Sequence, residues 1–229
     1  MKELRLVVSD MAGTTVKDSG EVARAFSAAL ADHGIEASTA QINAVRGASK
    51  REAIATLVAP KYGNDAARVE AVYASFKNHL QRVFTREAEP IAGAAETFSW
   101  LRGRGIKLAL NTGFDHDITN LLVDALGWRG VADAVICGDD VPQGRPAPYM
   151  IFRAMEATGT VDVRHVLNVG DTVSDLQAAH NAGVAVSVGV LSGAHTREQL
   201  AREPHAVLME SVADLPALWG DALPMADRH

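Results

Sequence analysis

The feature that most constrains this chain is a single break in an otherwise regular alternation. From residue 90 onward, short apolar runs trade places with segments of helical period. Strands are predicted at residues 107–111, 134–137, 165–169, 185–190 and 206–209, with helices between them, among them 93–104 and 174–182. An earlier apolar run at 4–9, closed by the turn Ala12-Gly13-Thr14-Thr15, reads as a buried first strand. Between that strand and residue 90 the pattern is helical only. Val22, Ala25, Phe26, Ala29 and Leu30 share one face. Ser38-x-x-Gln41 and Ser49-x-x-Glu52 have the spacing of helix starts. Val69, Val72, Tyr73, Phe76, Leu80, Val83 and Phe84 form a long apolar stripe.

Alternating strands and helices fold through right-handed crossovers into a mainly parallel sheet. The predicted fold class is therefore α/β: a Rossmann-like core from residues 1–15 and 89–229, interrupted after its first strand by an α-helical cap domain over residues 16–88. With 229 residues, 48% of them apolar, the chain has material for both a core and a small second domain.

Charge and cysteine usage narrow the partners. A net charge of −6 argues against nucleic acid or an anionic membrane surface as the main partner. Cys137 is the only cysteine, so an intrachain disulfide, a thiolate zinc cluster and an Fe–S site are all excluded. The first apolar run is too short for a signal peptide, and no stretch approaches the ~20 apolar residues of a membrane span. A cytoplasmic location is expected.

In an open parallel sheet, ligands bind beyond the carboxyl ends of the strands. Four polar clusters fall there: Ser9-Asp10-Met11-Ala12-Gly13-Thr14-Thr15, Asn111-Thr112-Gly113-Phe114, the run from Gly138-Asp139-Asp140 to Gly144-Arg145-Pro146, and Gly170-Asp171-Thr172-Val173-Ser174-Asp175. Alone, each has a plainer reading. A strand-end Asp is often a turn former. Asp171 and Asp175 fit a solvated first helical turn capped by Ser174. Together they supply phosphoryl transfer to a carboxylate. Asp10 is the candidate nucleophile. Asp10 and Asp171 can hold one Mg²⁺, with a backbone carbonyl and waters completing its shell. Thr112, the Gly113 amide and the amides of the Gly13–Thr14 turn can donate to phosphate oxygens, and Arg145 brings fixed positive charge.

The four clusters, in this order and with a helical insert after strand one, resemble the haloacid dehalogenase (HAD) superfamily across essentially the whole chain. Asp10-Met11-Ala12-Gly13-Thr14-Thr15-Val16, the run Asp139-Asp140-Val141-Pro142 with Gly144-Arg145-Pro146-Ala147-Pro148, and Gly170-Asp171-Thr172-Val173-Ser174-Asp175 are similar to the phosphonoacetaldehyde hydrolase (phosphonatase) branch. The resemblance implies Asp10 as nucleophile and Mg²⁺ held by Asp10, the Ala12 carbonyl and Asp171. It implies Asp175 as a supporting carboxylate in that metal set, Thr112 on the phosphate, and Arg145 where most of the superfamily has lysine. It also implies a homodimer formed through the cap.

Most phosphatases of this superfamily carry a second Asp two residues after the nucleophile, where this chain has Ala12. That acid protonates a departing alkoxide, and losing it should cost an ester phosphatase ~10²–10⁴-fold. Cleavage of a C–P bond needs an electron sink instead, which a lysine imine provides. Lys50, in Arg46-Gly47-Ala48-Ser49-Lys50-Arg51, aligns with the Schiff-base lysine of phosphonatase. Placed at a helix N-terminus between Arg46 and Arg51, its ammonium should be disfavoured. Two residues depart from the branch: Ala53 replaces a histidine, and Arg46 replaces a methionine and suggests an extra anionic or polar group on the substrate. The expected substrate is phosphonoacetaldehyde or a related 2-oxoalkylphosphonate. The rivals are a phosphomonoesterase, a C–halogen hydrolase (disfavoured by the Asp171/Asp175 pair) and a non-catalytic small-anion-binding protein.

Overall fold

The computed structural model describes residues 4–216. Residues 1–3 and 217–229, the two ends of the predicted core segments, lie outside the described residues. Six strands, β1 (Leu6–Asp10), β2 (Lys107–Asn111), β3 (Ala134–Ile136), β4 (Val166–Gly170), β5 (Val186–Val190) and β6 (Val207–Met209), form one sheet. Its order is β3-β2-β1-β4-β5-β6, and every pair is parallel. The central strand β1 is buried along its whole length, as a strand covered on both faces must be. The order reverses between β1 and β4, which opens a crevice at their carboxyl ends. Asp10 closes β1 and Gly170 closes β4.

Between β1 and Pro90 lie four helices, α1 (Glu21–Asp32), α2 (Thr39–Ala44), α3 (Lys50–Tyr62) and α4 (Ala66–Glu87). Their starts follow the sequence signals. Ser38 and Gln41 form a reciprocal capping box on α2, and Ser49 accepts from the Glu52 amide at 3.3 Å to cap α3. The five predicted face residues of α1 are all buried. They pack on the stripe of α4, where Phe26 and Phe76 lie 4.5 Å apart between ring centroids. Each large side chain buried this way stabilises by roughly 1.5–3 kcal/mol. Two chain segments join the helices to the sheet side by side: Val16 bridges to Pro90, Lys17 N–H donates to Glu89 O at 2.9 Å, and Ile91 N–H donates to Thr15 O at 2.8 Å.

The remaining helices are α5 (Ala94–Gly103), α6 (His116–Ala125), α7 (Tyr149–Thr158), α8 (Val173–Ala182) and the short α9 (Arg197–Leu200). Helix α8 corrects one expectation. Its cap is Thr172, not Ser174, and Thr172 forms a capping box with Asp175. Asp175 is thereby turned inward and buried rather than solvated. Among the described residues no helix is long and apolar enough to cross a membrane.

Candidate active site

Three carboxylates meet at the crevice. Asp10 ends β1, Asp171 follows β4, and Asp175 lies in the first turn of α8. All three are buried, and each offers an oxygen within 4.8 Å of the others. Arg145 reaches in from the loop after β3. Its Nη1 donates to Asp10 Oδ1 at 2.7 Å and also pairs with Asp175. Burial disfavours the guanidinium, but the Asp175 and Asp10 charges outweigh it and hold Arg145 protonated.

One guanidinium does not balance three carboxylates. Burial raises Asp10 to about 6 against the pull of Arg145. Burial, with repulsion from Asp10 and Asp175, raises Asp171 to about 8. These are the marks of a site short of positive charge. The donor set is oxygen only, which suits a hard divalent cation. Ala12 lines the same pocket, and its carbonyl accepts no backbone hydrogen bond among the described residues. Asp10, Asp171, Asp175 and the Ala12 carbonyl are therefore fit to hold Mg²⁺.

Asp171 is held from several sides. Ala194 N–H donates to its Oδ2 at 2.6 Å, and Thr14 Oγ1 donates to its Oδ1 at 3.2 Å. A Cβ on Gly13 or on Gly193 would collide with this carboxylate, so both positions exclude a side chain; Gly13 also has φ +95°. The loop of Ser192, Gly193 and Ala194 was not singled out from sequence. It follows the predicted strand 185–190, so the rule that found the other four loops points to it as well.

The phosphate donors need one correction. The Gly13 amide donates to Val16 O at 2.7 Å and the Thr14 amide to Met11 O at 3.2 Å, so the turn itself consumes both. The amides of Met11, Ala12 and Gly113 donate to no backbone acceptor among the described residues. Thr112 is buried beside them, its Oγ1 accepting from the Phe114 amide at 3.2 Å. On the guanidinium, Arg145 Nε is buried without a partner.

Lys50 is the first residue of α3 and is buried. Its amide donates to Gly113 O at 3.0 Å, across the gap between the helical insert and the sheet. Its Nζ donates to Ala48 O at 3.3 Å and stands 5.1 Å from the Phe114 ring centroid. Burial first, then Arg145, lowers it to about 8. Arg46 adds to the lowering, whereas Arg51 is not among its main causes. Arg51 turns away, making two bonds to Glu70 at 2.6 and 3.0 Å and stacking on Tyr73. Arg46 does line the pocket, but it is paired with Asp18, an acid with a buried side chain that sequence reasoning passed over. Ala53, in place of the histidine, is buried on α3.

Asp10, Ala12, Arg46, Lys50, Thr112, Gly113, Arg145 and Asp171 thus line one small pocket of about 20 Å³. A cavity of about 460 Å³ lies beside it, between α3, α4 and the loop after β3, and shares Lys50 and Gly113 as a wall.

Residues 4–183 match the haloacid dehalogenase-like hydrolase family. The chain belongs to that family. The HAD assignment agrees with curated relatives. A phosphonoacetaldehyde hydrolase of Hahella chejuensis is 31% identical over 93% of this chain and 85% of its own length. Among solved structures, a phosphonoacetaldehyde hydrolase-like protein of Oleispira antarctica superposes with TM-score 0.84, at 23% identity, over 96% of this chain and 92% of that one. A predicted phosphoglycolate phosphatase of Haemophilus somnus gives 0.80 at 20% identity, over 95% and 99%. At such identities the solved neighbours speak for the HAD fold alone. Hydrolase chemistry follows from the family.

Proposed function

We propose that this HAD hydrolase is Mg²⁺-dependent and cleaves the C–P bond of phosphonoacetaldehyde or a related 2-oxoalkylphosphonate. The observation that carries the reading is the placing of Lys50. It is a buried amine lowered to about 8, in one pocket with Asp10 and facing Arg145, in a chain whose usual acid position is Ala12. The relatives named phosphonoacetaldehyde hydrolase support the substrate class.

In this reading residues 16–88 act as a cap whose closure excludes water. The neutral Lys50 amine condenses with the substrate carbonyl, releasing water and taking up one proton from solvent to leave a protonated imine. Asp10 attacks phosphorus in line while Arg145, Thr112 and the Gly113 amide hold the phosphoryl oxygens. The C–P electron pair passes into the imine to give a neutral enamine, and the phosphoryl group rests on Asp10. Bound Mg²⁺ supplies the charge that lets the Asp10 carboxylate approach an anionic group. The enamine carbon takes a proton from solvent, since no histidine lines the pocket among the described residues. Water then hydrolyses the imine, freeing Lys50 and an aldehyde or ketone, and a second water releases phosphate from Asp10.

One observation favours a second reading, a phosphomonoesterase. Lys50 Nζ donates to Ala48 O, a contact that a simple substrate-gripping ammonium also makes. Borohydride trapping with 2-oxopropylphosphonate, run beside Lys50→Ala, separates the two. Trapped mass on Lys50 is the expected result; no adduct together with brisk turnover of ordinary esters establishes the esterase. Absence of phosphate release from any phosphonate or ester with Mg²⁺ leaves the non-catalytic anion-binding protein.

A further inference from the structure

A second cluster of ligating side chains lies outside the carboxylate site, where the first turn of α6 meets the end of β3. His116, Cys137 and Asp139 each offer a ligand atom within 4.8 Å of the others. His116 Nδ1 lies 3.5 Å from Cys137 Sγ. Two ligands on one tetrahedral zinc, with Zn–S about 2.3 Å and Zn–N about 2.0–2.1 Å, stand about 3.5 Å apart. The pair is already at that spacing.

The surroundings orient the imidazole as a ligand. His116 Nε2 is 2.9 Å from Asp140 Oδ1, and the other Asp140 oxygen accepts from the Cys137 amide at 2.7 Å. A carboxylate on one ring nitrogen fixes the tautomer that leaves the other nitrogen's lone pair free, the usual support behind a metal-bound histidine. Asp115, Asp139 and Asp140 make the locality negative. Cys137 is buried, while His116 and Asp139 are exposed and leave a path for an ion.

We infer that His116, Cys137 and Asp139 form a second metal site, for a borderline-soft divalent cation such as Zn²⁺, with Asp140 as the positioning carboxylate and water in the fourth place. A thiol and an imidazole are poor ligands for Mg²⁺, so this site and the carboxylate site select different ions. A lone cysteine excludes a thiolate cluster but not this mixed set. Binding converts the Cys137 thiol to a thiolate and releases its proton to solvent. The ion ties the start of α6 to the loop that carries Arg145.

Cobalt(II) added to the chelator-stripped full chain in excess Mg²⁺ reads the site directly, because only a thiolate ligand gives the near-ultraviolet sulfur-to-cobalt band. One equivalent should develop that band, and Zn²⁺ should displace it. The exposed His116→Ala and the buried Cys137→Ser should abolish it, Asp140→Asn should weaken binding about 10–100-fold, and Asp171→Asn should leave it intact. No band in the parent chain, or an unchanged band in His116→Ala, overturns the inference, and neither depends on Cys137→Ser folding. None of these results bears on whether Lys50 forms an imine.

Discussion

Arg145 Nη1 donates to Asp10 Oδ1 at 2.7 Å, and the same nitrogen pairs with Asp175. One buried cation thus holds Asp10, the proposed nucleophile, and Asp175 together. Removing it strands two carboxylates in a dry site. Arg145→Ala should lower stability by about 3–5 kcal/mol, measured by urea denaturation without metal, and Mg²⁺ should recover part of the loss. Asp10→Asn relieves charge rather than stranding it. That variant should fold at least as well as the parent yet lose activity by about 10³-fold or more.

Lys50 should impose its own pH dependence. The amine must be neutral to attack a carbonyl, so kcat/KM for an oxoalkylphosphonate should fall about tenfold per pH unit below about 8. Its folded value lies below the ~10.4 of an unfolded lysine. Between these values the unfolded chain binds the extra proton, so stability rises with pH across that window. Below about 8 the cost of burying the ammonium is fully present. Lys50→Met should flatten the stability profile between pH 8 and pH 10 in thermal melts.

Metal binding should be linked to pH in the opposite region. Burial raises Asp10 to about 6 and Asp171 to about 8, so without metal the folded chain holds extra protons and loses stability as pH rises through those values. Mg²⁺ must displace the same protons. The rise in thermal midpoint on adding Mg²⁺ should be larger at pH 8 than at pH 6, and an equal shift at both would speak against these carboxylates as ligands.

Gly113→Ala tests the contact between insert and sheet. A Cβ there would overlap Ala48 O and lie 3.3 Å from Lys50 Nζ. The new methyl should hold the insert away from Asp10 and reduce kcat/KM by about 10²-fold. The thermal midpoint should move little, because opening the contact relieves the clash.

Ala12→Asp should place an acid–base group two residues after Asp10. Turnover of a phosphate monoester should rise, within the ~10²–10⁴-fold worth of such catalysis, while C–P cleavage should not. A monoester rate unchanged by the substitution would mean that Ala12 is not the missing acid position.

The pattern of strands and helical stripes was open to reading because each depends on local period, as do the caps at Ser38 and Ser49. The order of Asp10, Thr112, Arg145 and Asp171 along the chain fell into place with the parallel sheet. What stayed hidden depends on contacts distant in sequence. Nothing near Arg46 announces that Asp18 pairs with it, nor does the neighbourhood of Arg51 reveal Glu70 as its partner. The burial of Lys50, the largest cause of its lowered pKa, arises only when the insert folds onto Gly113 and Phe114. Thr172 takes the cap in place of Ser174 because its hydroxyl accepts from the Asp175 amide while the Asp175 carboxylate accepts from the Thr172 amide, so α8 starts at Val173.

The Gly113 residue faces two ways: its carbonyl accepts the Lys50 amide, while its own amide has no backbone partner among the described residues. A phosphoryl group seated on that N–H would polarise the adjoining main chain and so be felt by the residue that docks the lysine. Occupancy of one half of the molecule would then bias how firmly the other half latches. Grafting the helical insert onto a different hydrolase core would carry the amine across but leave this reciprocal latch behind.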